Sequence, residues 1–172
     1  MPGPTTLDKK KTAVLVMDFQ IDILKGFPSE FQSALIMRTN KLMDTARQYG
    51  LPIIFTQRKE GTQEAELDAR LIRKPGEVVL TKRKRAPFAS TDIDERLKKL
   101  GVTTIIVMGI HTSSTVLSTV RCGSEIDYKF FIVSDCCADR DEDVQAFLFE
   151  KVFYHTSTVL DSKALFELLA KS

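Results

Sequence analysis

The chain of 172 residues has the length of one globular domain, with 43% hydrophobic and 28% charged residues. Its net charge of only +2 argues against partners recognised by overall charge, such as nucleic acid or an anionic membrane. No apolar run reaches the roughly 18–20 residues of a membrane-spanning helix, and three cysteines do not make a disulfide framework. The opening segment lacks the apolar stretch of a secretory signal, so we expect a soluble cytoplasmic protein.

Six short segments rich in apolar and β-branched residues are the predicted strands. One of them, residues 103–109 (TTIIVMG), is a continuous run rich in β-branched residues, which is typical of a strand covered on both faces. In chain order the predicted strands are residues 12–17, 52–57, 77–81, 103–109, 128–134 and 157–160.

Helical patterns fill the intervals between these strands. They predict a helix that ends at Gly50, a short helix at 63–72, and a helix at 92–100. A fourth helix begins near Thr112, a fifth covers 141–154, and a sixth follows the capping residue Asp161 to residue 170. In the fifth helix, the residues at core spacing are Val144, Phe147, Leu148 and Val152.

This alternation predicts a three-layer α/β/α fold: a six-stranded, mostly parallel, Rossmann-like sheet with helices on both faces. No repeat or linker divides the chain, so we expect residues 1–172 to form one domain with a loose tail at 1–11. Ligands of such sheets bind beyond the carboxyl ends of the strands, where the strand order reverses. Asp18, the segment after Thr81, the turn 109–115 and Asp135 follow predicted strands and are therefore the first candidates.

Three of these positions carry residues suited to chemistry. Asp18 is placed for general acid or base work, although a loop carboxylate can instead bind backbone N–H groups. Residues 82–85 are four consecutive cations that could bind phosphate, and Phe88 could stack on a ring; a solvated charge run is the alternative. The turn 109–115 brings hydroxyls and backbone N–H groups to a helix start, where they could bind an anion or simply cap the helix.

Metal and redox sites have little support in the sequence. Two histidines, His111 and His155, without a Cys-x-x-Cys or His-x-His pattern, predict no metal site. Cys122 is expected in the core, and Cys136 and Cys137 are interpreted as small residues at a strand end rather than as reactive thiols.

Three segments in order resemble motifs of the isochorismatase-like cysteine hydrolase family, which includes nicotinamidases and related amidases. VMDFQ resembles the first-strand Asp motif, and VLTKRKRAPF resembles a motif with a Lys and a Phe six residues later. TTIIVMGIHTSSTVLSTV resembles the strand–turn–helix signature that carries the nucleophile. The resemblance extends over about residues 12–170 and implies the isochorismatase-like hydrolase fold.

The family uses an Asp, Lys and Cys triad, so the resemblance implies Asp18 as acid/base and Lys82 as the stabiliser of charge. The nucleophile position holds Thr115, whose hydroxyl is far less acidic than a thiol and needs Asp18 as its base. The resemblance further implies a cis peptide at Ile110–His111, with the N–H groups of His111 and Thr115 as an oxyanion hole. The expected substrate-pocket residues are Phe19, Gln20, Phe88 and Ser114.

Two functions stay open at this point. The first is a hydrolase that cleaves an amide-type C–N bond or a vinyl ether of a small molecule without a cofactor. The segment after the second predicted strand lacks the Asp-x-His of metal-dependent nicotinamidases, so no metal is expected. The second is an inactive family member that binds a ligand or a protein; a phosphoesterase or nuclease served by residues 82–85 is a more distant alternative. The resemblance also implies a homo-oligomer, dimer or tetramer, with no membrane partner.

Overall fold

The computed structural model describes residues 5–58 and 66–172, in which six strands form a single sheet. The strand order is β3-β2-β1-β4-β5-β6, and every neighbouring pair is parallel. The predicted fold class is therefore confirmed, with an entirely parallel sheet. The strands are β1 (Thr12–Met17), β2 (Ile53–Arg58), β3 (Val78–Lys82), β4 (Thr104–Ile110), β5 (Lys129–Ala138) and β6 (Ser157–Leu160).

Helices cover both faces of this sheet. They are α1 (Ile21–Leu24), α2 (Ser29–Gln48), α3 (Ile93–Lys99), α4 (Leu117–Ser124), α5 (Glu142–Phe147) and α6 (Ser162–Lys171). A π-helical turn at Thr112–Val116 leads into α4, and another at Leu148–Val152 follows α5. The backbone N–H of Ala164 donates to Asp161 over 2.7 Å, which confirms the predicted cap of α6. None of the helices in the described ranges is long and apolar enough to cross a membrane.

The hydrophobic core lies in two layers because successive strand residues point to opposite faces of the sheet. Val14 and Val16 of β1 pack in the layer covered by α2 and α6, whereas Leu15 and Met17 pack in the layer covered by α3 and α4. β4, at the centre of the sheet, is buried along its whole length. This two-sided burial explains why its sequence, TIIVMGI, does not alternate between apolar and polar residues.

The predicted helix at 63–72 is wrong over the part that the structure describes. Residues 66–72 form turns and an isolated antiparallel bridge between Gln20 and Leu67, and residues 63–65 lie outside the described residues. Several hydrogen bonds of the segment go to other parts of the fold: the N–H of Asp68 donates to Phe19 O, and the side chain of Asn40 bonds to Arg70 O and to the N–H of Ile72. These contacts replace the bonds that a helix would make within itself.

The fifth predicted helix, residues 141–154, is divided. α5 ends at Phe147, and the π-helical turn and a 3₁₀ turn at Phe153–His155 follow. Val144 and Phe147, expected in the core, are 39% and 60% exposed, whereas Leu148 and Phe153 are buried. The π turn is wider than an α-helical turn and changes which residues face the sheet. A prediction that uses one helical period for the whole segment therefore places Val144 and Phe147 in the core by mistake.

Of the expected loose tail at 1–11, residues 5–11 are described and contact the rest of the fold, and residues 1–4 lie outside the described residues. Lys9–Lys11 form a 3₁₀ turn capped by Asp8, and Leu7 is buried in the core. The side chain of Lys9 also donates to Leu169 O over 3.1 Å. Lys9 thereby connects this turn to α6.

The strand order reverses between β1 and β4, since the chain continues from β1 towards β2 and from β4 towards β5. Asp18 follows β1 and His111 follows β4, so both lie at the point where such sheets bind ligands. Gly109 allows the two strands to approach closely there. A Cβ at Gly109 would lie 2.9 Å from the Cβ of Met17 and 3.0 Å from its carbonyl oxygen.

Candidate active site

Asp18 lies in a sharp turn of the backbone directly after β1. Its φ of 59° is in the left-handed region, and its N–H donates to Thr56 O over 3.0 Å. The Thr56 hydroxyl donates to Asp18 Oδ1 over 3.3 Å. The β2 neighbour therefore holds both the backbone and the side chain of a carboxylate that is completely buried.

Lys82, the last residue of β3, compensates the buried charge of Asp18. Its Nζ lies 2.8 Å from Asp18 Oδ2, and both side chains are only 1% exposed. β2 separates β3 from β1, so the lysine side chain spans one strand to reach the carboxylate. A buried charge without such a partner would cost several kcal/mol, so each of the two groups depends on the other.

Thr115 completes the cluster from the first turn after β4. Its hydroxyl donates to Asp18 Oδ2 over 2.8 Å in a buried position, and the Thr119 hydroxyl donates to Thr115 O over 2.7 Å. The structure thus brings together Asp18, Lys82 and Thr115 from three separate sequence segments. A hydroxyl that already donates to a carboxylate has the geometry for general-base activation.

The turn between β4 and α4 corrects two expectations. The Ile110–His111 peptide bond is trans; the chain turns through a left-handed His111 with φ of 65° instead of the expected cis bond. The N–H of His111 donates to Ala138 O over 2.7 Å, so it is not available as an oxyanion donor. The cause is the length of β5, which extends to Ala138, four residues beyond the predicted end, and pairs with the end of β4.

Two polar residues that the sequence interpretation missed hold this turn. The Asp139 carboxylate accepts from the N–H of Ser113 over 2.6 Å, and Gln145 Oε1 accepts from the Thr112 hydroxyl over 3.0 Å. Asp139 follows the carboxyl end of β5, and this position is the one signal that could have identified it. Asp135, which was considered instead, binds the N–H and hydroxyl of Ser162 and belongs to the β5–α6 packing.

A cavity of about 570 Å³ opens above Thr115. Its size suits a small molecule. Ser114 lines it as expected, and Arg58, at the end of β2, is an additional lining residue that the sequence interpretation missed. The lining residues within the described ranges are Arg58, Lys82, Arg83, Lys84, Arg85, His111, Ser114 and Thr115.

Three expected pocket residues lie elsewhere. Phe19 is fully buried in the core layer of α2, and Gln20 is fully buried with its Oε1 accepting from the N–H of Arg58 over 2.7 Å. The Phe88 ring packs on Tyr128 with ring centroids 5.4 Å apart, because the 3₁₀ turn Pro87–Ala89 directs it against α4. All three support the fold around the cavity but do not line it.

The imidazole of His111 is half-buried at the cavity wall. Burial lowers the pKa of His111 below its ordinary value of 6.5; the smaller effect of Asp139 raises this pKa, and that of Arg140 lowers it further. The ring is therefore neutral near pH 7. It can offer one donor and one acceptor to a ligand.

The cysteines do not contribute to the site. Burial raises the pKa of Cys136 to about 12 and raises the pKa of Cys137 as well, so both thiols stay protonated. Cys122, expected in the core, is exposed on α4. Within residues 5–58 and 66–172, no group of three His, Cys, Asp or Glu side chains could hold a metal ion.

Comparisons with known proteins match this geometry to a family. The model of the Isochorismatase domain matches residues 12–164. Among curated proteins, the secreted isochorismatase effector Isc1 of Verticillium dahliae is 28% identical over 152 residues, covering 80% of this chain and 78% of the relative. The ureidoacrylate amidohydrolase RutB of Pseudomonas savastanoi is 26% identical over 210 residues, covering 93% and 85%.

The solved structures agree with the fold. An isochorismatase family protein of Burkholderia thailandensis superimposes with a TM-score of 0.88 at 25% identity, covering 99% of this chain and all of that chain. A cysteine hydrolase of Pseudomonas syringae superimposes with a TM-score of 0.91 at 20% identity, covering 99% and 98%. At that level of identity the second likeness concerns the fold alone.

Proposed function

The chain belongs to the Isochorismatase domain family, and from that premise we propose that it is a hydrolase of a small molecule in which Asp18, Lys82 and Thr115 perform the chemistry. Thr115 takes the position of the family's nucleophilic cysteine. Ser114 and His111 contribute to the substrate pocket, and the reaction needs no cofactor or metal.

One observation supports this proposal above all others: Asp18 Oδ2 lies 2.8 Å from both the Thr115 hydroxyl oxygen and Lys82 Nζ. A carboxylate in this position can take the proton of the hydroxyl as it attacks. The ammonium group beside it stabilises negative charge that develops on the substrate. The cluster is buried at the base of a cavity, where such interactions are stronger than in water.

The proposed reaction conserves protons through Asp18. Thr115 Oγ1 attacks the carbonyl carbon of the substrate while its proton passes to Asp18. The C–N bond then breaks, and the leaving nitrogen takes the proton from Asp18. A water molecule hydrolyses the remaining ester in the same way, with its proton passing through Asp18 and returning to Thr115 Oγ1.

We favour an amide-type C–N bond over a vinyl ether. One relative is named as a ureidoacrylate amidohydrolase, and the bond between the hydroxyl and carboxylate provides a nucleophile with its base. A vinyl ether would require only Asp18 to act on the substrate, with Thr115 as a contact. The two routes differ in whether the Thr115 hydroxyl is essential.

A second candidate function is an inactive family member that binds a ligand or a protein. The hydrogen bond from His111 N–H to Ala138 O favours it, because this bond removes one expected oxyanion donor.

The homo-oligomer and the single domain over residues 1–172 also stay predictions. Light scattering at micromolar concentration tests the first, and a monomer would contradict it.

The test is turnover of a panel of small amides, imides and isochorismate-like vinyl ethers by wild type, Asp18→Asn and Thr115→Ala. Loss of turnover in both variants supports the nucleophilic route. Loss in Asp18→Asn alone supports the vinyl-ether route. A wild type and a Thr115→Cys variant that are both silent on the whole panel would favour the binding protein.

A further inference from the structure

The cavity above Thr115 has one sign of charge. Of the eight described residues that line it, five are cationic and none is acidic. Because the whole chain carries a net charge of only +2, this concentration is local and is not a consequence of a basic protein. A cleft lined with one sign of charge raises the local concentration of ions of opposite sign.

Two of the five cations are already compensated. Lys82 is paired with Asp18, and Arg58 is paired with Asp22. In contrast, no described carboxylate lies within 4.0 Å of the charged groups of the other three cations; the ion pairs of the described residues all involve other cations. Those three residues are Arg83, Lys84 and Arg85.

The segment that carries these three charges is fixed to the fold. The backbone N–H groups of Arg83 and Lys84 both donate to the Ser90 hydroxyl, over 3.0 and 3.1 Å. Lys82 before the segment and Ala86 after it are buried, whereas the three side chains between them are exposed at the cavity. A backbone ordered in advance spends less entropy when its side chains bind a ligand than a free loop does.

We propose that the substrate of this site carries at least two negative charges, on phosphate or carboxylate groups, which Arg83, Lys84 and Arg85 bind. This inference rests on the proposed function, because the bond that is hydrolysed must reach Thr115 at the base of the same cavity. The two arginines favour planar, bidentate recognition of such anions, and the lysine adds a compact charge.

The cavity favours a small anion over a nucleic acid. No described Phe, Tyr or Trp side chain lines it, although stacking of bases on such rings is the usual platform for single strands. Thr115 is only 3% exposed, so only a slender group can reach it. The net charge of only +2 also gives the chain little overall attraction for a polyanion.

The test is calorimetric titration of the full chain with two probes, inorganic pyrophosphate for phosphate and succinate for carboxylate. It is performed at about 10 mM salt, where the Debye length is about 30 Å, and repeated at about 0.15 M. We expect binding of at least one probe to wild type, weakened by salt. The probe that binds identifies the anionic group.

Two triple variants show where the probe binds. Arg83→Gln/Lys84→Gln/Arg85→Gln should weaken binding by more than about tenfold, because three charge-assisted contacts are lost. The matched control is Lys10→Gln/Lys11→Gln/Lys171→Gln, which removes the same charge from exposed positions that do not line the cavity. The control should bind within about twofold of wild type, because distant surface charges are screened.

Binding of neither probe, or equal weakening in both triple variants, would overturn the inference. So would an RNA oligonucleotide that binds through Arg83–Arg85 while both small anions fail. Since titration needs no turnover, the two proposals fail separately. An active hydrolase that binds neither probe contradicts the inference alone, and an inactive chain that binds pyrophosphate through these residues contradicts the proposed function alone.

Discussion

Asp18 is the residue on which the whole site depends. One of its oxygens accepts from a hydroxyl and faces an ammonium group, and the other accepts from Thr56. These contacts satisfy a carboxylate that has no exposure to water. Stability and chemistry are therefore coupled in the same side chain.

We predict strong energetic coupling between Asp18 and Lys82. Lys82→Met should lower the free energy of unfolding by about 3–5 kcal/mol, because it leaves a buried carboxylate without its cation. The double variant Asp18→Asn/Lys82→Met should lose less than the sum of the two single variants, since it buries neither charge. Urea unfolding of the four proteins measures this difference.

The exposed pair Asp92–Arg96 provides the control for this measurement. Its side chains are 47% and 42% exposed, so Arg96→Met should change the free energy of unfolding very little. Strictly additive losses at Asp18 and Lys82 would mean that the two groups do not stabilise each other.

The lowered pKa of His111 predicts one part of the pH dependence of the protein's stability. Its pKa is lowered by burial, so over the interval below 6.5 the unfolded chain binds a proton that the folded chain does not. The stability that neutral His111 contributes is complete above pH 6.5 and decreases as the pH falls through the pKa of the folded state. His111→Gln should therefore flatten the stability profile below pH 6.5.

The exposed His155 is the matched control, and thermal unfolding between pH 5 and pH 8 is the measurement. His155→Gln should retain the decrease below pH 6.5 that His111→Gln removes. A decrease that is unchanged in His111→Gln would show that another group causes it.

At the scale of residues, the sequence identified the side chains that carry a motif. Asp18, Lys82 and Thr115 stand at fixed spacings in segments that end strands, and the structure brings them together. The sequence did not identify Arg58 and Asp139, which carry no motif and lie beside the site only once the chain is folded. Phe88 is the opposite case: it belongs to a motif and was expected in the pocket, but its ring packs on Tyr128 instead of lining the cavity.

At the scale of elements, the approach of β4 to β1 determines whether the site forms. Gly109→Ala would place a Cβ 2.9 Å from Met17 Cβ and 3.0 Å from its carbonyl oxygen, directly before Asp18. We expect a loss of about 1–3 kcal/mol of stability from overpacking. The loss of turnover, expressed as a free energy, should exceed this loss of stability, because the Asp18–Thr115 distance changes with the strand separation.

Gly26→Ala is the control for this substitution. Its Cβ would lie 3.2 Å from the flexible side chain of Arg140 and 3.3 Å from Ile23 O. Urea unfolding and turnover of both variants are compared with wild type. Equal effects of the two substitutions would show that the close approach at Gly109 is not special.

The elements themselves were predictable where one pattern controls a segment. β1 and β6 begin and end as expected, and α6 begins after its capping aspartate. The errors arise where a second influence acts. The pairing of β5 with β4 extends it to Ala138, and the π turn after α5 leaves Phe147 60% exposed. Neither effect produces a hydrophobic periodicity from which it could be predicted in the sequence.

At the scale of the whole molecule, strand order and charge agree on one location. The order reverses between β1 and β4, and the cationic cavity lies at the carboxyl ends of these strands and of β2 and β3. The family match over residues 12–164 and the superposition at a TM-score of 0.88 concern the fold in which this cavity lies. Within the hydrolase proposal, the choice between the nucleophilic route and the vinyl-ether route depends on one residue, Thr115.

The most direct measurement compares Thr115→Ser with Thr115→Val on an amide that wild type hydrolyses. Serine keeps the hydroxyl beside Asp18, whereas valine keeps the shape and removes the hydroxyl. We predict that Thr115→Ser retains turnover within about tenfold and that Thr115→Val loses more than about a thousandfold, as expected when a nucleophile is removed. Equal turnover by the two variants would contradict a nucleophilic Thr115, and so would a wild type that hydrolyses no amide of the panel.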